Sequence, residues 1–529
     1  MKPMIREEIE KLTERAIKDL YGKPARIGYA KGIAGGEAEV EIERPAEPAF
    51  GDYSTNIAMI LKKNPQEIAN VITRFSSTIL DKVEVKNGFI NFFISKEYLQ
   101  KQVEEILKEK DKFGNLKIGK GKKVNAEFIS ANPTGPLTVG NSRGGVIGDV
   151  LSNVLAKAGW KVTREYYFND AGGQIDVLGH SVLKDDLAEY KGEYIDKLAK
   201  KLDGGDPREI GKKAAQIIIE EIKKTTKKMG IKFDIWTAEG RDLRDKGKVE
   251  KIIAWLKKNN LAYEKEGALW FKSTQFGDDK DRVLLRTNKE PTYFALDCAY
   301  HKNKFVERKF DKVIDIWGAD HHGDIARLKG FVKSLGYEDK FDILIQQFVR
   351  IIKKGKEVRM SKRTGIYVTI DELIDEVGLD VARFFFLTKA ADTHLDFDLD
   401  LAKQQSEKNP VYYIQYANTR ICSILRKIPS SKFQNSNLKL LVHPSELNLI
   451  KQLIRLPEII EDTTRDYQIQ RIPQYAVDLA TIFHQFYGDC QVLSDDKELT
   501  QARLALISAT KIVFKNTLNL MGISAPEKM

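Results

Sequence analysis

The hydrophobic and polar positions change rhythm three times along the chain. From Met1 to Tyr21 the apolar residues follow helical spacing, with Glu7, Glu8, Glu10 and Glu14 among them. A segment at Ala38 to Ile42, the turn-rich stretch Pro45 to Tyr53, a second helix and a strand at Gly88 to Ile94 follow. Residues 1–112 therefore predict a small α/β domain. Lys108 to Lys123 is dense in lysine and glycine and reads as a linker. Over 120–405, strands alternate with helices, the pattern of a parallel sheet. Within it Val124 to Ile129 is apolar and β-branched, and Asn132 to Pro136 breaks the strand. From about Asn141 the apolar residues Ile147, Val150, Leu151, Val154 and Leu155 fall at helical spacing, with Gly159 as the stop. His180 to about Thr287 has long charged helices and few strong strands, and reads as insertions splitting the sheet domain. Residues 406–529 are helical in pattern almost to the end, with few glycines. There is no internal repeat and no low-complexity tract.

Composition narrows the class. A chain of 529 residues is too long for one core, so about three domains are expected. Hydrophobic content of 42% and charged content of 31% are those of a soluble globular protein. The formal net charge of +11 points to an acidic partner, nucleic acid first; the bland alternative is a basic solvated surface. Cys298, Cys422 and Cys490 lie far apart, offer no disulfide framework or zinc knuckle, and fit a reducing cytoplasm. No apolar run approaches the ~18 residues needed to span a membrane. The acidic N-terminal helix argues against a transit peptide, and it has no signal-peptide core. A cytoplasmic location is expected.

The chemistry concentrates in a few places. The turn from Ser130 to Asn141 joins a strand to a helix, and Gly140 lets backbone amides approach an anion that the helix dipole favours. Far downstream, Arg359-Met360-Ser361-Lys362-Arg363 is a basic stretch suited to neutralising a polyphosphate. No Walker A or dinucleotide fingerprint is present, so the phosphate binder is of another type. Glu127 places a carboxylate on the strand that feeds the turn, and Tyr293 and Asp297 stand one helical turn apart. Glu127 and Asp297 can receive a guanidinium through paired, charge-assisted hydrogen bonds. The bland alternatives are a salt bridge or solvated face for Glu127 and a packing pair for Tyr293 and Asp297. Asp320, His321, His322 and His301 have metal-ligand chemistry, but adjacent ligands rarely suit one structural zinc, so no metal site is expected.

These motifs, in this order, resemble arginyl-tRNA synthetases. The resemblance rests on Glu127 to Asp149, Tyr166 to Gly172, Gly318 to Gly323, Arg359 to Gly365, Tyr413 to Ile421, Ser524 to Met529 and Gly51 to Asn56, and so covers nearly the whole chain. It implies a Rossmann-type α/β catalytic domain of class I at 120–405 with inserted segments. It also implies a small α/β domain at 1–112 that contacts the tRNA D-loop, and an all-helical anticodon-binding domain at 406–529. The implied reaction joins L-arginine to tRNA(Arg) using ATP and Mg2+, through arginyl-adenylate and then the terminal adenosine 2′-hydroxyl. A monomer is expected. By motif match, Glu127, Asn132, Tyr293, Asp297 and His321 would contact arginine. Gly140, Thr138, Asn141, Met360, Ser361 and Lys362 would contact ATP, with Lys362, Asn141 and Thr138 carrying catalysis. Phe89, Asn91, Tyr413, Tyr416, Arg420 and Met529 would face tRNA.

One departure stands out. The family's upstream signature has histidines at both ends of a four-residue motif, where this chain has Thr138 and Asn141. A hydroxyl and an amide can donate hydrogen bonds but carry no charge. Losing one preorganised donor outright costs about 3 kcal/mol, and replacing it by another donor costs less. A working enzyme with a variant signature is expected. The alternative is a synthetase-like protein that binds tRNA without charging it.

Overall fold

The computed structural model describes residues 4–22, 40–76, 78–202, 204–358, 369–428 and 436–529. At its centre is a five-stranded sheet, with strands ordered Phe341–Gln346, Lys312–Gly318, Lys123–Glu127, Lys161–Phe168, Ile235–Ala238, every pair parallel. The middle strand buries Val124 and Ala126 on one face and Asn125 on the other completely, as a strand covered on both faces must. The chain runs outward from Lys123–Glu127 in one direction to Lys161–Phe168, and returns later on the other side through Lys312–Gly318. The strand order therefore reverses beside Glu127, and such a switch point opens a crevice at the carboxyl ends of the strands.

The helix Val139–Lys157 starts two residues before the sequence reading of Asn141, because Thr138 and Asn141 form a reciprocal capping box. Its end agrees with the expected stop, since Gly159 adopts φ +90°, open to glycine but costly for other residues. A Cβ on Gly148 would come within 2.2 Å of the Phe128 ring, so glycine lets this helix lie directly on the strand it follows. Arg143, fully buried, donates from the same helix to the carbonyls of Gln347 (2.9 Å), Thr393 (2.7 Å) and Ala390 (2.8 Å). The first turns of the helix are thus fixed to the segments that follow the edge of the sheet.

The stretch expected to be insertion is only partly so. Helices Gly173–Leu183 and Pro207–Lys228 cross at Gly179 and Gly211, where a Cβ would meet backbone carbonyls at 1.7 and 2.0 Å. Strand Ile235–Ala238 then completes the parallel sheet, which corrects the reading of this region as inserted throughout. Four residues are too few to show a period in sequence. A separate antiparallel sheet, Ala262–Lys265, Ala268–Phe271 and Arg282–Leu285, is inserted after it.

The linker reading of Lys108 to Lys123 is corrected as well. Helix Lys96–Glu109 leads into a turn whose carbonyls at Lys110 and Phe113 accept from Asn516 at 3.0 and 3.1 Å. Gln100 on the same helix donates to the Leu441 carbonyl at 3.0 Å. The N-terminal sheet, Tyr53–Thr55, Phe89–Ile94 and Leu80–Lys86, docks on the C-terminal helices through Tyr53 to Glu458 (2.5 Å), Arg44 to Glu458 (3.0 Å) and Lys451 to Asp52 (2.7 Å). From Pro410 to Met521 the described residues are mostly helical. Among the described residues no helix is long and apolar enough to cross a membrane.

Candidate active site and nucleic-acid interface

The turn after Glu127 is strained. Ile129 and Ser130 lie at φ +67° and +43°, a region that β-branched and bulky residues avoid. Such strain costs on the order of 1–3 kcal/mol per residue and persists only where surroundings impose it. Here the Ser130 hydroxyl donates to Glu127 Oε1 (3.0 Å) and accepts from the Tyr167 amide (3.1 Å). Tyr166 donates to the Ala131 carbonyl at 2.9 Å. Asn132 accepts from the Asn169 amide (3.2 Å) and donates to Gln174 (2.8 Å), so its side chain is held at the lip of the crevice.

Thr138 and Asn141 divide their work unequally. Asn141 Oδ1 accepts from the Thr138 hydroxyl (2.8 Å) and amide (3.3 Å), while Thr138 Oγ1 accepts from the Asn141 amide (3.3 Å). The Thr138 hydroxyl thus donates inside the cap, and the Asn141 amide hydrogens point to no partner among the described residues. At Gly140 a Cβ would find nothing nearer than Thr138 Oγ1 at 3.7 Å, so the space beside these first amides is open. Thr138→Ala should act through the cap, lowering stability by about 1 kcal/mol and shifting the thermal midpoint downward. A calorimetric scan with no shift would refute that role.

Asp297 stands on helix Tyr293–Lys302, which Thr292 caps through the Ala295 amide at 3.3 Å. Among the described residues Asp297 has no hydrogen bond or ion pair that would neutralise it. Burial pushes its carboxyl up to about 7, against the pull of His301 and Arg327 and with the help of Asp324 and Glu239. Tyr167 lies close by, and burial together with Glu239, Asp297 and Glu127 pushes its hydroxyl well above the ordinary range. Glu239, which sequence reasoning missed, accepts from Tyr167 (2.8 Å) and Arg244 (2.7 Å). It stands just past the short edge strand, so the signal that would have found it was the strand itself. The Glu127 carboxylate meets the buried Lys304 at 2.6 Å through one oxygen and the Ser130 hydroxyl at 3.0 Å through the other.

Tyr293 is 56% exposed at the mouth, beside a cavity of about 220 Å³ lined by Arg282, Arg286 and Arg327. His321 is exposed on the turn after strand Lys312–Gly318, near Asp324 (3.4 Å), Asp320 (3.6 Å) and the Trp317 ring. His301 is drawn inward to Asp315 (2.8 Å) rather than to His321 or His322. Among the described residues no group of three or more His, Cys, Asp or Glu converges on a point that could hold a metal. Met360, Ser361 and Lys362 lie outside the described residues.

A second surface forms on helix Pro410–Leu425. The rings of Tyr412 and Tyr416 lie parallel within 7°, with centroids 6.3 Å apart. The Arg420 guanidinium sits over Tyr416 (5.3 Å) and Tyr487 (4.4 Å), and Tyr413 leans on His484. The C-terminal tail runs alongside, its Pro526 carbonyl accepting from Asn418 (2.8 Å) and Thr419 (3.1 Å), and leaves Met529 exposed. Tyr413, Tyr416 and Arg420 thus come together, and Tyr412, His484 and Tyr487 join them. On the N-terminal sheet Phe89 is exposed, but Asn91 on the same face is only 3% exposed, which corrects its reading as an RNA contact.

Three family profiles match the chain in succession. They are the arginyl tRNA synthetase N terminal domain over residues 4–94, the catalytic domain of tRNA synthetases class I (R) over 102–199 and 183–398, and the DALR anticodon binding domain over 414–529. The arginine–tRNA ligase of Carboxydothermus hydrogenoformans is 43% identical, covering 98% of this chain and 100% of its own. That of Acetivibrio thermocellus is 42% identical over 99% of each. The arginyl-tRNA synthetase structure from Thermus thermophilus superposes with a TM-score of 0.81 at 22% identity, over 99% of this chain and 100% of that one, and so shares the fold. The chain belongs to the arginyl-tRNA synthetase family, the class I arginine–tRNA ligases.

Proposed function

We propose that the crevice at the strand ends activates L-arginine with ATP and passes it to the 2′-hydroxyl of the terminal adenosine of tRNA(Arg). The observation that carries this reading is the half-buried carboxylate of Asp297, which has no neutralising partner among the described residues and lies near Glu239 and Tyr167. A guanidinium is flat, permanently charged and forked, and it satisfies such a carboxylate where an ammonium leaves bonds unmade. Glu127, at the strand end next to the phosphate turn, is the second carboxylate offered to the guanidinium. Tyr293 covers the mouth, with Asn132 and His321 nearer the nucleotide side. The arginine carboxylate oxygen attacks the α-phosphorus, the bond to the β-phosphate oxygen breaks, and pyrophosphate leaves. Catalysis of this kind rests on positioning and charge neutralisation. The first amides of helix Val139–Lys157 and the Asn141 side chain supply fixed donors, and Lys362 supplies charge. Mg2+ would arrive with the ATP phosphates as its ligands. In the second step the 2′-oxygen attacks the activated carbonyl and AMP leaves. Tyr412, Tyr416, Arg420 and Tyr487 offer stacking faces for splayed anticodon bases, the usual basis of single-strand recognition.

The test is charging of tRNA(Arg) across the amino acids, with transcripts ending in 2′-deoxyadenosine or 3′-deoxyadenosine. Arginine alone should be attached, and only the 2′-deoxy transcript should fail. A pH dependence follows from Asp297. Its carboxyl must lose a proton to meet the guanidinium, and its value is raised to about 7 in the free pocket. The arginine KM should be flat above that pH and rise about tenfold per unit below it. Asp297→Asn should abolish the dependence. A KM unchanged from pH 8 to pH 6 in the wild type would contradict it.

A further inference from the structure

A cavity of about 810 Å³ lies where the N-terminal helices, the sheet-bearing region and the C-terminal helices meet. Its walls come from helices Ile5–Tyr21 and Lys96–Glu109, from residues 113–118, from Trp160 and from helix Leu456–Asp466 with the residues just before it. Residues 113–118 precede strand Lys123–Glu127, and Trp160 precedes strand Lys161–Phe168, whose first residues Lys123 and Lys161 pair. The cavity therefore borders the amino-terminal ends of the strands, and the crevice opens at their other ends. Ile5, Tyr98, Phe113, Leu116, Trp160 and Ile454 give it an apolar and aromatic interior. Ligand pockets have volumes of about 300–1,000 Å³ and favour such boundaries between folded regions.

The charges around it are not placed alike. Glu461 is buried and Glu7, Glu105 and Glu109 are half-buried, whereas Lys11, Lys117 and Arg465 are exposed at the rim, where water solvates them. Arg6 already engages Glu461. Among the described residues no hydrogen bond or ion pair neutralises Glu7 or Glu109. Burial, and next the like charge of Glu105, hold the Glu109 carboxyl above its ordinary value. A carboxylate drawn out of water without a partner is costly, and an incoming cation relieves that cost. Aromatic rings favour the same sign of charge at their faces. The walls thus select an apolar body and the carboxylates select a cation upon it.

We propose that this cavity is a second small-molecule site, which takes an organic ammonium on an apolar, aromatic body, with Glu7 and Glu109 as its anionic partners. The test uses the full chain without tRNA and three probes of one shape, phenylbutylamine, phenylbutanol and phenylbutyrate, each followed by titration calorimetry. The amine should bind one to one and at least about tenfold tighter than the alcohol, the usual worth of a charge-assisted hydrogen bond, and the butyrate should bind weakest. Glu7→Gln/Glu109→Gln should erase that preference and leave the alcohol nearly unaffected. Gln102→Trp, which puts bulk into the cavity from helix Lys96–Glu109, should weaken all three probes at least about tenfold. The two variants alter different features of the cavity, so if one fails to fold the other still decides. Saturating arginine and ATP should not displace the amine, because the crevice lies at the opposite ends of the strands. Occupancy should also raise the thermal midpoint, since a ligand that binds only the folded chain stabilises it. No saturable binding of the amine, equal affinity for amine and butyrate, a preference kept by the folded double variant, or displacement by arginine would each overturn the proposal.

Discussion

Asp297→Ala is expected to raise the arginine KM by about two to three orders of magnitude, the range seen when one partner of a buried charged hydrogen bond is truncated. Two effects add. The guanidinium loses its ionic partner, and Glu239 cannot replace it fully, because Tyr167 and Arg244 already hold that carboxylate. A guanidinium entering the altered pocket is also left partly unsatisfied, which costs more than the lost bond alone. Asp297→Asn should fall between wild type and alanine, since it keeps shape and acceptor but no charge. Binding of tRNA should stay near normal in both, because Tyr416 and Arg420 stand on a different domain. Lysine should remain uncharged by all forms, as a pocket built for forked donors rejects an analogue that leaves them unmade. Arginine charging by the alanine variant at wild-type concentration would dismiss this pocket.

Much of this arrangement was legible in the sequence where local chemistry is strong. The strand, turn and helix around Glu127 to Lys157 announce themselves by period and by the Asn132 to Pro136 break. Tyr413, Tyr416 and Arg420 come together because residues three, four and seven apart share a helix face. What was not legible depends on distant partners. Lys304 is one more lysine among 87 basic residues until the fold buries it between Glu127 and Asp315. Glu239 follows a four-residue edge strand that is recognisable only once Lys161–Phe168 is beside it. Thr138 shows a related limit. The capping box that holds its hydroxyl is visible in sequence only as a threonine and an asparagine three apart. Asn91 alternates correctly with the core-facing Ile90 and Phe92, yet it is only 3% exposed.

Lys362→Ala is expected to lower the rate of arginine activation at least about a hundredfold, the usual scale for a preorganised electrostatic contact. The chain around it explains why one lysine carries so much. Where the family's signature has histidines, Thr138 is closed into a cap and Asn141 offers a neutral amide. Neutral donors are roughly half as strong as charged ones. Lys362 lies outside the described residues, but both flanks of its segment are anchored. Lys356–Val358 pairs with Val349–Lys353 on one side. On the other, the Ile370 amide donates to the Leu137 carbonyl at 3.1 Å, and Thr369 bridges to Thr138 itself. Seven residues separate Lys362 from Thr369, which at ~3.5 Å each is ample reach to the phosphate turn. Thr369 thus stands beside the residue that opens helix Val139–Lys157. Because charge on the leaving phosphates grows only as the α-phosphorus bond breaks, the loss should appear in turnover and leave arginine affinity nearly intact. Asn141→Ala should be milder than Lys362→Ala, and Thr138→Ala milder still apart from its effect on stability. The measurement is single-turnover adenylate formation with saturating ATP, arginine and tRNA. A Lys362→Ala enzyme as fast as wild type, or slower only through a raised arginine KM, would refute this division of labour between one charge and two neutral groups.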